Sequence, residues 1–201
     1  MALEHYYSKT PAAANDRRTF EAKLRGHSLK FITDAGVFAK SGVDYGSRVL
    51  IEALELPDNA RVLDVGCGYG PIGITAARLA PAGKATLIDI NERAVELARE
   101  NAKMNGIGNI EIIQSDLFEA VQGRQFDVLI TNPPIRAGKA VVHQIFEEGA
   151  ALLKPGGTMW VVIQKKQGAP SAREKLEAVL GDVVEVTKDK GYRIFKATKS
   201  I

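Results

Sequence analysis

The chain has a single cysteine, Cys67, in 201 residues. An intrachain disulfide and a cysteine-rich zinc site are both excluded on that count. The three histidines, His5, His27 and His143, are not spaced as metal ligands, so no metal centre is expected. No apolar run approaches the roughly 20 residues that a membrane helix requires. The first residues, MALEHYYSKTPAAANDRR, have neither the basic start nor the apolar block of a secretory signal. A cytoplasmic protein is expected from these absences. Internal repeats and low-complexity segments are lacking too, which leaves one domain of ordinary size.

Charge of one sign is also in short supply. The net charge of +3 is too mild to imply a nucleic-acid partner by itself. Its distribution says more. Basic residues crowd the first thirty positions (Lys9, Arg17, Arg18, Lys23) and the last forty (Lys165, Lys166, Lys188, Lys190), while the middle is balanced or acidic. Such asymmetry is compatible with a polyanionic substrate.

Residues 1–30 show no clean periodicity. Pro11-Ala12-Ala13-Ala14 reads as a linker or turn, and Tyr6 and Tyr7 as side chains packed on the domain. Phe31-Ile32-Thr33 reads as a short strand. A helix is expected over 46–56, ended by Pro57. Strands are then predicted at 61–65, 84–89, 110–114, 127–131 and 158–164. Helices are predicted at 71–80, at 91–105 with Asn91 as cap, at 140–153 and at 171–180. Lys154-Pro155-Gly156-Gly157 reads as a turn. Residues 183–187 and 192–197 alternate as half-buried strands joined by Lys188-Asp189-Lys190-Gly191, an antiparallel hairpin. The implied fold is α/β: a Rossmann-like, seven-stranded, mostly parallel sheet with helices on both faces and an antiparallel C-terminal hairpin. Residues 1–45 are expected to be an N-terminal extension packed on a main domain of residues 46–201.

The fourth strand of the alternating region runs into Asn132-Pro133-Pro134-Ile135-Arg136. Neither proline can donate to a sheet ladder, so the strand ends abruptly. Asn132 is left on a rigid turn at the carboxyl edge, where open α/β sheets bind ligands. Its side-chain oxygen and the backbone oxygen of Pro133 form a fixed array that can hold an amino group by both hydrogens. Taken alone, these residues are equally well explained as a loop that breaks a strand.

A second stretch decides between the two. Asp64-Val65-Gly66-Cys67-Gly68-Tyr69-Gly70 joins a strand to a helix. Its glycines allow close backbone approach to a ligand. Asp89 ends the next strand at about the spacing of a ribose-binding acid, ~20 residues on, and Asp116 follows the third. An acid just before the glycines disfavours a pyrophosphate. Asp64 instead suits a ligand without phosphate and with positive charge, which S-adenosylmethionine is.

DVGCGYG resembles motif I of the class I S-adenosylmethionine-dependent methyltransferases, and NPPI resembles their amino-methylating motif IV. The runs GVFAKSGVDYGSRVLIE, NERAVELARENAKMNG, SDLF and NPPIRAGK extend the likeness, over roughly residues 30–165, to the "methyltransferase small" group. That group includes small-subunit ribosomal RNA guanine-N2 methyltransferases, and the whole chain is similar to its short single-domain members. The resemblance implies that Asp64, Gly66, Cys67, Gly68 and Gly70 form the methionine-side loop. Asp89 and Ile90 would take the ribose, Asp116 and Leu117 would border the adenine, and Phe38 would cover the cofactor. Asn132, Pro133 and Pro134 would be catalytic, with Asn132 also bordering the cofactor. Ile135 and Arg136 would face the substrate. Lys165 and Lys166 follow the fifth strand at the ligand edge, and that position suits an RNA contact and a solvated surface loop about equally. The position of Ile135 is often aromatic in the group and stacks on the base, so stacking here must come from elsewhere. RNA, as ribosomal RNA or a ribosomal particle, is the implied partner, and a homodimer stays open. Two alternatives also stay open: methylation of a protein glutamine, and a catalytically silent cofactor- or RNA-binding module.

Overall fold

A computed structural model describes residues 7–39 and 41–201; His5 and Tyr6 lie outside them. Seven strands make one sheet: β3 (Arg61–Val65), β4 (Lys84–Asp89), β5 (Ile110–Gln114), β6 (Phe126–Thr131), β7 (Leu153–Gln164), β8 (Gly181–Asp189) and β9 (Tyr192–Lys199). Their order is β5-β4-β3-β6-β7-β9-β8. The first five run parallel, and β9 pairs antiparallel with both β7 and β8. The helices are α1 (Tyr45–Ala53), α2 (Pro71–Leu79), α3 (Glu92–Met104), α4 (Lys139–Leu152) and α5 (Ala169–Leu180). Strand residues alternate between the two faces. Val62, Val128, Ile130 and Trp160 join the core under α1, α2 and α3, whereas Leu63, Leu129 and Met159 join the core under α4 and α5. Apolar runs buried on both faces are what a parallel sheet between two helix layers requires.

The N-terminal region is more structured than its weak periodicity predicts. β1 (Arg18–Leu24), which the sequence pattern does not announce, pairs antiparallel with β2 (His27–Thr33). Their two-residue turn, Arg25-Gly26, has both residues at positive φ, 51° and 79°, as a tight hairpin demands. Along β1 and β2, Ala22, Leu24, Leu29 and Phe31 are buried. The other edge of β2 is covered by two asparagines one turn apart on α3. Asn101 accepts from the Ile32 amide at 2.7 Å and donates to the Ile32 carbonyl at 3.0 Å. Asn105 treats Lys30 the same way at 2.9 and 2.7 Å. The helix thus supplies the hydrogen bonds a third strand would have made.

The C-terminal hairpin closes more tightly than expected. Its loop is Lys190-Gly191 alone, at φ 45° and 84°, and Lys188 and Asp189 belong to β8. Lys154 to Gly157 loops out of the β6–β7 register, which shifts between Phe126 and Val128.

Candidate active site

A cavity of about 330 Å³ opens at the carboxyl ends of β3, β4, β6 and β7. That size is in the range of small-molecule sites, roughly 300–1,000 Å³. The sheet order divides it into two halves, one on β4 and β3, the other on β6, β7 and the start of β9.

In the first half the β3–α2 loop is fastened to β4. The Gly66 and Cys67 amides donate to the Ile88 carbonyl at 2.9 and 3.0 Å. Gly66 and Gly68 line the cavity at φ 73° and 56°. Apart from chain neighbours, no atom of the described residues lies within 4 Å of where a Cβ on either would stand. The loop therefore leaves a cradle that side chains would fill. Asp89 lines the same space. One of its oxygens accepts from the Gly68 amide at 2.8 Å and the other from the Asn91 amide at 2.9 Å. Each oxygen keeps a lone pair for a ligand hydroxyl. Burial raises Asp89 to about 6, against the pull of the Asn91, Gly68 and Ile90 amides. Ile90, Leu117 and Phe38 also line the cavity. The loop before Phe38 is tied to the start of α3 by Asn91 Nδ2 to the Gly36 carbonyl, 2.8 Å, and by Arg93 to the Ala35 carbonyl, 2.6 Å.

Three residues expected in this half stand behind or beside the cavity. Asp64 is 1% exposed, beneath the loop and outside the lining, and neither carboxylate oxygen has a hydrogen-bond partner among the described residues. Burial raises it to about 7; the nearby Gly73 amide lowers it electrostatically without a hydrogen bond of normal geometry, and Asp89 pushes it up. Gly70 is the residue before α2, and a Cβ there would stand 2.8 Å from Ile74 Cδ1. Helix packing and its φ of 103° account for it. Asp116 is exposed. Its charge, with that of Asp89, adds to burial in raising the phenol of Tyr7, which lines the cavity. Cys67 lines the cavity but its thiol is pushed well up by burial, so it stays protonated. His143 lies on α4 against Phe146 and Ser171, outside the lining.

In the second half Asn132 is oriented by residues that sequence reasoning misses. Its Nδ2 donates to Ser47 Oγ at 3.0 Å and to Asp44 Oδ2 at 3.3 Å. Asp44 caps α1, accepting from the Ser47 amide at 3.0 Å. A carboxylate accepts and does not donate, so the amide nitrogen of Asn132 must face it. Asn132 Oδ1 is left without a protein donor among the described residues. The Pro134 carbonyl is taken by the Ala137 amide at 2.9 Å, while no described backbone amide donates to Pro133. Pro133, Pro134, Ile135 and Arg136 all line the cavity. Below them Thr131 Oγ1 donates to the Val65 carbonyl at 3.0 Å, fixing β6 to β3. Lys165 and Lys166 are exposed and outside the lining, but the glutamines beside them, Gln164 and Gln167, are in it, as is Tyr192. The spacing of Asp44 and Ser47 signals a helix cap; nothing in it signals a bond to a residue 88 positions on.

A family model for the methyltransferase small domain matches residues 28–196. The chain belongs to this family. The methyl donor of these methyltransferases is S-adenosylmethionine, and the open glycine cradle with Asp89 beside it fits that cofactor. The match begins in β2, within the span expected to be an extension. The chain is 54% identical over 98% of its length, and 98% of the relative's, to the uncharacterised protein YbxB of Bacillus subtilis. It is 31% identical to a ribosomal RNA small subunit methyltransferase C of Serratia proteamaculans, over 86% of this chain and 49% of that one. Among solved structures, a T. thermophilus 16S rRNA N2 G1207 methyltransferase, in complex with AdoMet and guanosine, superposes with a TM-score of 0.82 at 28% identity. That superposition covers 94% of this chain and 52% of the other. The chain thus spans about half the length of the named ribosomal RNA methyltransferases it matches.

Proposed function

We propose that the protein transfers a methyl group from S-adenosylmethionine to an exocyclic amine of an RNA base, with N2 of a ribosomal RNA guanine as the favoured target. The observation that carries this reading is the orientation of Asn132. Its amide nitrogen donates to both Asp44 and Ser47, its oxygen has no donor among the described residues, and Asn132 and Pro133 both line the cavity. Two acceptors on a rigid turn are suited to an amine bearing two hydrogens, as a base amine does. Likeness to the Serratia and T. thermophilus enzymes supports the choice of ribosomal RNA, and likeness to the latter supports N2.

Gly66, Gly68, Asp89, Ile90 and Leu117 would hold the cofactor, with Phe38 at the rim. When bound, it supplies a methyl group on a sulfonium, which the amine nitrogen takes as the carbon–sulfur bond breaks. The protein's part is alignment. A base amine is a weak nucleophile because its lone pair is conjugated with the ring. Acceptors at both hydrogens rotate that lone pair out of conjugation and stabilise positive charge as it grows on nitrogen. The surplus proton of the methylated nitrogen is then acidic enough to pass to water, so no strong protein base is needed. Positioning of this kind contributes up to ~7–11 kcal/mol in well-oriented reactions. Arg136, Lys165 and Lys166, outside or at the cavity mouth, would meet phosphates.

The test is to incubate the protein with labelled S-adenosylmethionine and, separately, ribosomal RNA, ribosomal particles and total protein. Digestion of the labelled polymer to nucleosides should yield N2-methylguanosine. Label confined to protein would overturn the reading in favour of a glutamine target.

A further inference from the structure

The cavity holds a feature that the cofactor and the Asn-Pro-Pro turn do not use. Among the described residues, four aromatic side chains line it: Tyr7, Phe38, Tyr69 and Tyr192. Tyr7 is close enough to Asp89 and Asp116 to feel their charge, and Phe38 follows the loop tied to α3, so both belong to the cofactor half. Tyr69 is 2% exposed and packs edge-on against Phe20 and Phe31, a core contact. Tyr192 stands apart. It opens β9 directly opposite Gln164 at the end of β7, on the substrate side of β6.

The Tyr192 ring is held firmly by its surroundings. It lies against the backbone of Gly46, where a Cβ would stand 2.6 Å from a ring carbon. Gly46 is thus a glycine because of Tyr192. Its neighbours in α1 are Tyr45 and Ser47, and Ser47 is the anchor of Asn132. Tyr45 braces the Tyr192 ring at 5.8 Å between centroids. Tyr45 is itself fixed by a 2.5 Å hydrogen bond to Asp189 and by Lys190 over its face at 4.6 Å. Gln164 and Gln167, in the same lining, have side-chain amides without hydrogen-bond partners among the described residues. An amide with one acceptor and two donors matches the polar edge of a planar heterocycle.

Resting on the methyl-transfer reading above, we infer that Tyr192, Gln164 and Gln167 form the pocket for the target base. Tyr192 supplies the stacking face that Ile135 cannot, and the glutamines read the base edge. The target amine and the base that carries it are then held from one helix, because α1 positions both Asn132 and the Tyr192 ring.

Steady-state methylation of the RNA labelled by the wild-type protein tests this, with Tyr192→Phe, Tyr192→Leu and a Gln164→Ala/Gln167→Ala double variant. Tyr192→Phe should keep kcat/KM for RNA within about twofold. Tyr192→Leu should lose roughly ten- to a hundredfold, as removal of one stacked base does. Binding of S-adenosylhomocysteine should be unchanged in all three, which a merely unfolded or distorted variant would not manage. The double variant should narrow the rate difference between the natural target and the same RNA with another amine-bearing base at that position. Wild-type kcat/KM in Tyr192→Leu would overturn the inference while leaving the methyl-transfer reading intact. A wild-type protein that labels no RNA would overturn both.

Discussion

In the proposed reaction, Asn132 and its anchor Asp44 carry the chemistry at the scale of single side chains. Asn132→Ala removes an acceptor whose value grows as charge develops on the amine. A hydrogen bond to a charged group contributes roughly 1.5–3 kcal/mol, so single-turnover methylation should slow at least about ten- to a hundredfold. Cofactor affinity, measured by calorimetry with S-adenosylhomocysteine, should change little. Asn132→Asp is more informative because of its neighbour. Its carboxylate would stand where Nδ2 now meets Asp44 Oδ2 at 3.3 Å. Two carboxylates that close share a proton, and one of them is raised in pKa. Below that raised value the new carboxyl group, protonated, would donate to Asp44 and keep an acceptor free, as the amide does. The variant should therefore recover activity on acidification relative to wild type, and a pH–rate profile parallel to wild type would refute the assigned orientation. Asp44→Ala tests the anchor itself. It should lower kcat with little effect on cofactor binding, whereas a role for Asp44 in the helix cap alone would show only as a drop in thermal stability.

At the scale of elements, the β3–α2 loop sits on a carboxylate that burial disfavours. Asp64 is raised from 3.8 to about 7 in the folded protein. The folded chain therefore holds a proton that the unfolded chain releases between those values. The resulting stability is fully present below about 3.8 and is lost as pH rises through about 7. Asp89, raised to about 6, acts in the same sense. The melting temperature of the unliganded protein should fall between about pH 4 and 7 from these two groups. Asp64→Asn, which keeps the shape and removes the charge, should melt higher than wild type at about pH 8 and depend less on pH. Equal melting temperatures there would mean that burial does not disfavour the Asp64 carboxylate. Which elements are legible in the sequence follows from how local their signals are. β3, β4 and β6 announce themselves as short apolar runs, and the Pro-Pro turn and glycine loop as punctuation within a few residues. β1 escapes although Phe20, Ala22 and Leu24 alternate with polar residues, because its turn, Arg25-Gly26, lacks the Asn-Gly or Asp-Gly signature. The hairpin's support comes from Asn101 and Asn105, 69 and 75 residues from their partners. Asp44 and Ser47 are illegible for the same reason, since they meet Asn132 only once α1 packs on the sheet, and Tyr192 reaches the cavity only through the β6-β7-β9 order.

Over the whole molecule, the order of strands sorts charge as well as chemistry. Lys165 and Lys166 lie just past β7, and Lys190 lies at the turn between β8 and β9, all at the end of the sheet where Tyr192 and Gln164 line the cavity. Arg193 is different, because Glu185 pairs with it at 3.0 Å. The cofactor half, by contrast, presents Asp89 and Asp116. A polyanion approaching this edge would be drawn to the β7–β9 side and repelled from the cofactor side. This field acts on phosphates and not on bases, so its signature is a dependence on salt that ignores sequence. Lys165→Ala/Lys166→Ala should weaken RNA binding for target and non-target sequences alike. The slope of log affinity against log salt should fall by roughly 0.7–0.9 for each phosphate that is no longer neutralised. Affinity for S-adenosylhomocysteine should stay constant, since neither lysine lines the cavity. Adding Lys190→Ala should flatten the slope further and also lower turnover, because Lys190 braces Tyr45 and through it Tyr192. A double variant with the wild-type salt slope would place the RNA backbone elsewhere on the molecule. The basic residues of the β1–β2 hairpin, which is bound along α3, would then be the surface to test.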